Sequence, residues 1–383
     1  MTAHPLISGV ADTRVGELPD SSCMSLHAEA GLGAVRDAGL TLGDIDGVLC
    51  AYSFTEPHLM LSSVFCEYIG VQPAFNASVT AGGATGVIMT QQAMALVASG
   101  MCRHVLCVTG DNRLTGMARE MADSALAAFG HAQFERPYGI SIPASYALVA
   151  QRYMHEYGTT LEQLASIAVT HRAHAAQHPN AHKREPITVD DVMASRVISS
   201  PLRLLDCCLI SDGAAAVVVS AADTSPDVRH PVAVLGAGQG HTHEHIVAAP
   251  SLTDFGCKQS SARAFEQAGV GPGDIDVAEI YDSFTITLLV ELESIGFFGR
   301  GEAGAAAADG ALTYGGQLPC NTHGGLLSYG HSGAAGGMFH VVEAVRQLRG
   351  EAEARQVPDA ELAFVHGDGG ILSAHGSMVL GRA

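Results

Sequence analysis

Two hydrophobic patterns alternate along the chain. Residues 47–51, 104–109, 214–220, 232–236 and 362–366 are short, nearly unbroken apolar runs. Such runs predict strands covered on both faces. Between them lie longer stretches, such as 25–38, with apolar residues three and four apart, the spacing of an amphipathic helix. Strands and helices in alternation predict a layered α/β molecule.

The pattern occurs twice. "DAGLTLGDIDGV" (37–48) returns as "QAGVGPGDIDVA" (267–278), and "GATGVIMTQQAMALVASG" (83–100) returns as "GAAGGMFHVVEAVRQLRG" (333–350). Gly83, Ala84, Gly86 and Gly100 fall on Gly333, Ala334, Gly336 and Gly350. "CVTGDN" (107–112) returns as "FVHGDG" (364–369), and "HPLISG" at 4 pairs with "HPVAVLG" at 230. Repeats in the same order predict a duplicated fold. The halves span 1–225 and 226–383, with 226–231 as the junction. Residues from about 111 to 200 read as an excursion of the first half that covers the site. A chain of 383 residues also exceeds the roughly 250–300 that one core usually fills.

Composition narrows the function. Apolar residues make up 47 %, enough for a large core. Asp and Glu outnumber Lys and Arg by 39 to 20, which argues against nucleic acid or an anionic membrane as the main partner. No run of eighteen apolar residues suggests a membrane span, and "MTAHPLISGVADT" lacks the basic start and apolar block of a signal peptide. Nine cysteines without a CxxC pair suggest a reduced, cytoplasmic chain.

Candidate chemistry concentrates in "NTHGGLLSYGHSGAAGG" (321–337), which holds two histidines, a tyrosine, an asparagine and six glycines. Glycines let backbone approach a ligand, and His and Tyr move protons. His331, Tyr329, His323 and Asn321 are therefore candidates. Tyr281 and Asp282 join them in "YDSF", where an apolar strand gives way to a helix; Asp282 also suits a helix N-cap. Cys320 is the one thiol beside this stretch.

"PYG", "YALVAQRYMHEYGTT", "ISSPLRLLDCCLISDGAAAVVV", "YDSF", "NTHGGLLSYGH" and "HGDGG" together resemble the thiolase superfamily, most closely its sterol-carrier-protein-x-like, lipid-transfer branch, over nearly the full chain. The resemblance implies a five-layer αβαβα fold of two duplicated halves. It implies carbon–carbon bond chemistry on acyl-CoA thioesters, with coenzyme A carried in as part of the substrate and no cofactor bound by the chain. The nucleophilic Cys of the family falls on Gly83, its second Cys on Val365, and the Asn of its "NEAF" motif on Tyr281; the His of "GHP" persists as His331, and Asn321 persists. A glycine cannot form an acyl-enzyme. The resemblance is thus closest to the steroid side-chain aldolases that lack the thiolase cysteines. The expectation is retro-aldol cleavage of a β-hydroxyacyl-CoA. Tyr281, Tyr329, His331 and His323 handle protons; Gly83, Asn321, Asp282 and Cys320 line the substrate; which Tyr is acid and which base stays open. The family further implies a homodimer and a separate small partner with a zinc ribbon and an OB-fold.

Other clusters weigh less. "HTHEH" (241–245) reads as a surface loop rather than a metal site, and Pro179 interrupts the spacing of His171, His174, His178 and His182, so no metal is assigned. Arg172, Lys183 and Arg184 suit either CoA phosphates or a solvated face. "GAGQG" (236–240) lacks the full dinucleotide fingerprint. Two rival readings remain: an acyltransferase using a displaced thiol such as Cys320, and a non-catalytic thiolase-like subunit.

Overall fold

A computed structural model describes residues 5–118, 129–222 and 230–383. Its main strands are β1 (Leu6–Asp12), β2 (Gly47–Ala51), β3 (Phe75–Val79), β4 (His104–Asn112), β5 (Asp212–Ser220), β6 (Val232–His241), β7 (Val277–Ile280), β8 (Leu362–Gly369) and β9 (Ala374–Arg382). The longer helices are α1 (Cys23–Asp37), α2 (Leu61–Ile69), α3 (Thr85–Ala98), α4 (Ile142–Tyr157), α5 (Leu161–Ala176), α6 (Cys257–Ala268), α7 (Thr285–Ile295) and α8 (Gly336–Arg349).

The strands run in the order β3-β2-β4-β5-β1-β6-β9-β8-β7. Each half contributes its own block. The first is β3-β2-β4-β5-β1. The second repeats it as β7-β8-β9-β6, with residues 319–321 against β7 in the place of β3: Ala278 N–H donates to Pro319 O at 2.9 Å and Asn321 N–H to Ala278 O at 2.9 Å. Instead of two separate sheets, the ladder continues across the halves where β1 meets β6 antiparallel, Leu6 opposite Ala233 and Ile7 opposite Val232.

Helices α3 and α8 form the central layer, packed on each other and on strands of both halves. Helices α1 and α2 cover the outside of the first half, and α6 covers β6 and β9. All nine residues of β5 are buried, as its unbroken apolar sequence requires. Edge strand β3 alternates part-exposed and exposed positions instead. The excursion does not pack mainly on the first half. Helix α4 packs on α7, and α5 packs on α7 and on the short helix Gly325–Ser328, all in the second half. The junction proposed at 226–231 lies largely outside the described residues. Among the described residues no helix is long and apolar enough to cross a membrane. All nine cysteines are free thiols.

The duplicated glycines explain how α3 and α8 meet. A Cβ on Gly86 would lie 2.5 Å from the Met338 backbone nitrogen, and one on Gly337 would lie 2.4 Å from the Gly83 carbonyl oxygen. Gly100 and Gly350 end the two helices at φ +74° with open space around them. The two kinds of glycine should respond differently. Gly86→Val forces backbones apart and is expected to cost about 3 kcal/mol or more in urea unfolding. Gly100→Ala meets only left-handed strain and should cost about 1–2 kcal/mol. Equal losses would contradict this packing.

Candidate active site

Tyr281 follows directly on β7, with α7 starting at Thr285. Its N–H donates to His366 O at 3.1 Å. Asn321 fixes the residue before it: Oδ1 accepts the Ile280 N–H at 2.7 Å and Nδ2 donates to the Ile280 carbonyl at 2.7 Å. Asn321 sits at φ +51°, a left-handed conformation that Asn tolerates better than most residues.

The Tyr281 ring therefore points at the glycines that open α3 and α8. A Cβ on Gly83 would fall 2.1 Å from Tyr281 Oη and 2.2 Å from Cζ. The phenol occupies the space a side chain at position 83 would need. His331 Nε2 lies 2.8 Å from Tyr281 Oη. Ser211 steadies His331 through its N–H, which donates to the His331 carbonyl at 3.0 Å. Both Gly83 and His331 keep a partly accessible edge, whereas Tyr281 is buried.

Burial pushes the Tyr281 hydroxyl well above the ordinary phenol range; Cys208, Tyr52 and Asp368 add to the rise, and Arg113 opposes it. Burial and then the Arg113 charge push His331 down to about 3. Protein encloses most of this ring, although one edge meets solvent. At neutral pH the pair is a phenol and a neutral imidazole. With the imidazole proton on Nδ1, Tyr281 donates to Nε2. Arg113, just after β4, supplies the positive charge. Its guanidinium lies 5.1 Å from the centre of the Phe54 ring, and Asp212 holds the loop by accepting the Leu114 and Thr115 N–H groups at 2.7 and 3.1 Å. Arg113 and Tyr52 carry no motif in the sequence, and Cys208 lies in a motif that assigns it no role; the topology brings them here.

The other expected residues stand around this pair rather than in it. The Tyr329 hydroxyl donates to Asp12 on β1, and Asp12 also accepts from Arg346 at 2.6 Å. Burial raises the Asp12 carboxyl, but Arg346 outweighs this and brings it to about 2. Tyr329 thus serves a half-buried ion pair between the halves, not the Tyr281 site. His323 lies 2.9 Å from Glu279 Oε2, off the hydrogen-bond line; burial opposes its protonation, yet the Glu279 charge raises it above an ordinary imidazole. It packs against the Tyr329 and His340 rings, each centred 5.0 Å away.

Asn321 and Asp282 are likewise committed. Both amide ends of Asn321 hold Ile280. Asp282 does not cap α7; it accepts from Leu326 N–H at 2.7 Å and Leu327 N–H at 3.3 Å, and lies 2.7 Å from His171 Nδ1. Cys320 is fully buried, and burial raises its thiol well above the ordinary range, with Glu279 adding to the rise. None of the three lines an open site. Arg172 is buried as well, donating to Ser328 Oγ at 2.9 Å and the Glu185 carbonyl at 3.1 Å, so it is neither solvated nor free for phosphate. In "HTHEH", His243 is tied to Thr242 Oγ1 and the Ile371 carbonyl at 2.8 and 3.0 Å.

Residues 238–382 match the family described as Thiolase C-terminal domain-like. The chain is 38 % identical over 366 residues to a steroid side-chain-cleaving aldolase of Thermomonospora curvata, covering 90 % of both. It is 36 % identical over 378 residues to an acetyl-CoA acetyltransferase of Methanothermobacter thermautotrophicus, covering 96 % of this chain and 98 % of the relative. Among solved structures it matches an Ltp2–ChsH2(DUF35) aldolase at 34 % identity and TM-score 0.88, covering 99 % and 98 % of the two chains.

The depressed His331 pKa gives a direct test. Its base form exists above the pKa, so the ring should stay neutral as pH falls from 7 to 5. The His331 ring resonances in NMR are expected to hold their neutral positions over that range. A midpoint near the ordinary 6.5 would contradict the enclosure described.

Proposed function

Because the chain belongs to the thiolase superfamily, in its sterol-carrier-protein thiolase-like branch beside the steroid side-chain aldolases, we propose that this enzyme is a retro-aldolase acting on a β-hydroxyacyl-CoA. The observation that carries the reading is the Tyr281 hydroxyl in the space where a nucleophilic side chain at position 83 would stand. Coenzyme A enters as the thioester portion of the substrate. The names of the aldolase relatives support a steroid or other bulky side chain as the acyl group.

In the proposed reaction the substrate β-hydroxyl gives its proton to Tyr281 Oη as Tyr281 passes its own to His331 Nε2. The negative charge developing on the substrate beside Arg113 makes this imidazole more basic than in the empty site. The Cα–Cβ bond breaks, a ketone or aldehyde forms, and the bond electrons become a thioester enolate. The Arg113 charge stabilises that enolate. Cα then recovers the proton from the imidazolium through Tyr281. Atoms balance without free coenzyme A, and no acyl-enzyme forms. Tyr329, His323, Asn321 and Asp282 act in this scheme by positioning, not by touching substrate.

The acetyltransferase relative favours a second reading, acyl transfer through a displaced thiol. Its best-placed thiol is Cys208, which burial raises to about 12, a poor value for a nucleophile at neutral pH. For assembly, the Ltp2–ChsH2(DUF35) complex supports a separate DUF35-type partner, with the zinc ribbon and OB-fold expected of it, and edge strand β3 offers a surface for a homodimer.

Turnover of a β-hydroxyacyl-CoA without added coenzyme A separates these readings. Tyr281→Phe and His331→Asn should each lower kcat about a hundred-fold or more. Cys208→Ala and Cys320→Ala should leave it near wild type. Tyr329→Phe should stay within about tenfold in kcat while losing about 1–2 kcal/mol of stability. Full turnover by Tyr281→Phe, or loss with either cysteine variant, would sink the aldolase mechanism.

A further inference from the structure

Four buried side chains converge behind the loop that carries Tyr281. His366 and Asp368 alternate along β8 and so share one face. His375 on β9 stands opposite Asp368 in the ladder. Glu291 reaches the same point from α7. His366 Nε2 is 3.2 Å from His375 Nδ1 and 3.5 Å from Glu291 Oε1; His375 Nδ1 is 4.0 Å from Glu291 Oε1 and 3.9 Å from Asp368 Oδ1. The side chains are fully buried.

The facing imidazole nitrogens bond to each other at 3.2 Å, but the carboxylate side of the cluster is left unused. Among the described residues neither Glu291 oxygen has a hydrogen-bond partner, and Asp368 Oδ1 has none. Asp368 Oδ2 is held by the Tyr146 hydroxyl at 2.9 Å. Each imidazole, by contrast, is anchored through its far nitrogen: His375 Nε2 lies 2.9 Å from the Leu372 carbonyl and His366 Nδ1 lies 2.8 Å from Ser377 Oγ. A donor–carbonyl contact of that kind puts the His375 proton on Nε2 and turns the Nδ1 lone pair inward, the outer-shell arrangement of metal-bound histidines.

We propose that Glu291, His366 and His375 bind one divalent first-row transition ion, zinc foremost, with Asp368 beside them. Bonds of about 2.0–2.1 Å in tetrahedral geometry place neighbouring ligand atoms about 3.4 Å apart. The three separations of 3.2, 3.5 and 4.0 Å bracket that value. Two imidazoles and one carboxylate suit zinc, with the fourth position left to water.

The inference does not depend on the aldolase reading, since metal content is measured without turnover. The full-length chain is unfolded in chelator, refolded with Zn²⁺, Co²⁺ or Mn²⁺, dialysed exhaustively, and analysed by inductively coupled plasma mass spectrometry. About one ion per chain should remain, and the Co²⁺ form should show the strong visible bands of a four-coordinate site. Glu291→Gln keeps the shape of a neutral carboxyl, so it spares a metal-free cluster but removes a ligand. It should lower retention more than tenfold. Less than a tenth of an ion on the wild-type protein with all three metals would overturn the proposal, as would unchanged retention by a folded Glu291→Gln variant.

Discussion

Tyr281 can stand where it does only because residue 83 has no Cβ. A side-chain carbon there would overlap the phenol at 2.1 Å. The ring in turn fills the mouth between the N-termini of α3 and α8 and reaches His331. The absence of a Cβ at this one position therefore makes room for the phenol beside the imidazole. Gly337 in turn lets the helices approach, since a Cβ on it would lie 2.4 Å from the Gly83 carbonyl oxygen.

Holding a polar pair at that depth takes several buried networks. Asn321 pins the strand end before Tyr281, and Asp282 ties the following turn to the helix at 325–328 and to His171 on α5. Glu279 gathers His323 and His340 beside Thr322, whose N–H donates to it at 2.9 Å. Asp12, Arg346 and Tyr329 join β1 to α8 across the halves. Removing one partner of this half-buried pair would leave the other charge without its counter-ion. The excursion contributes too: Tyr146 on α4 stacks on Phe284, rings 4.4 Å apart, and braces Asp368 from below.

Much of the architecture was legible in the chain. The repeated glycines at 83, 86 and 100 and at 333, 336 and 350 mark the paired central helices. The apolar runs mark strands covered on both faces. The continuity of the sheet through β1 and β6 was not legible, because two short strands carry no signal of their pairing. For the site, the motif brought Gly83, Tyr281 and His331 to attention, and these three meet. Tyr329, His323 and Asn321 come from the glycine-rich stretch, with Cys320 beside it and Asp282 in "YDSF", yet their partners (Asp12, Glu279, Ile280, His171) come from distant segments that no local spacing reveals. Arg113 and Tyr52 escaped notice because they lie at positions with no pattern of their own, and Cys208 because its motif gives no sign that it reaches Tyr281. The Glu291–His366–Asp368–His375 cluster escaped for a similar reason: its members join only when α7 packs on the β8–β9 hairpin.

Intact-protein mass spectrometry of enzyme quenched during turnover of a β-hydroxyacyl-CoA tests the central claim most directly. If the phenol–imidazole pair has replaced a nucleophile, the chain keeps its unmodified mass while acyl-CoA and a carbonyl product accumulate. An acyl group trapped on the chain at Cys208, Cys320 or any other residue would contradict it.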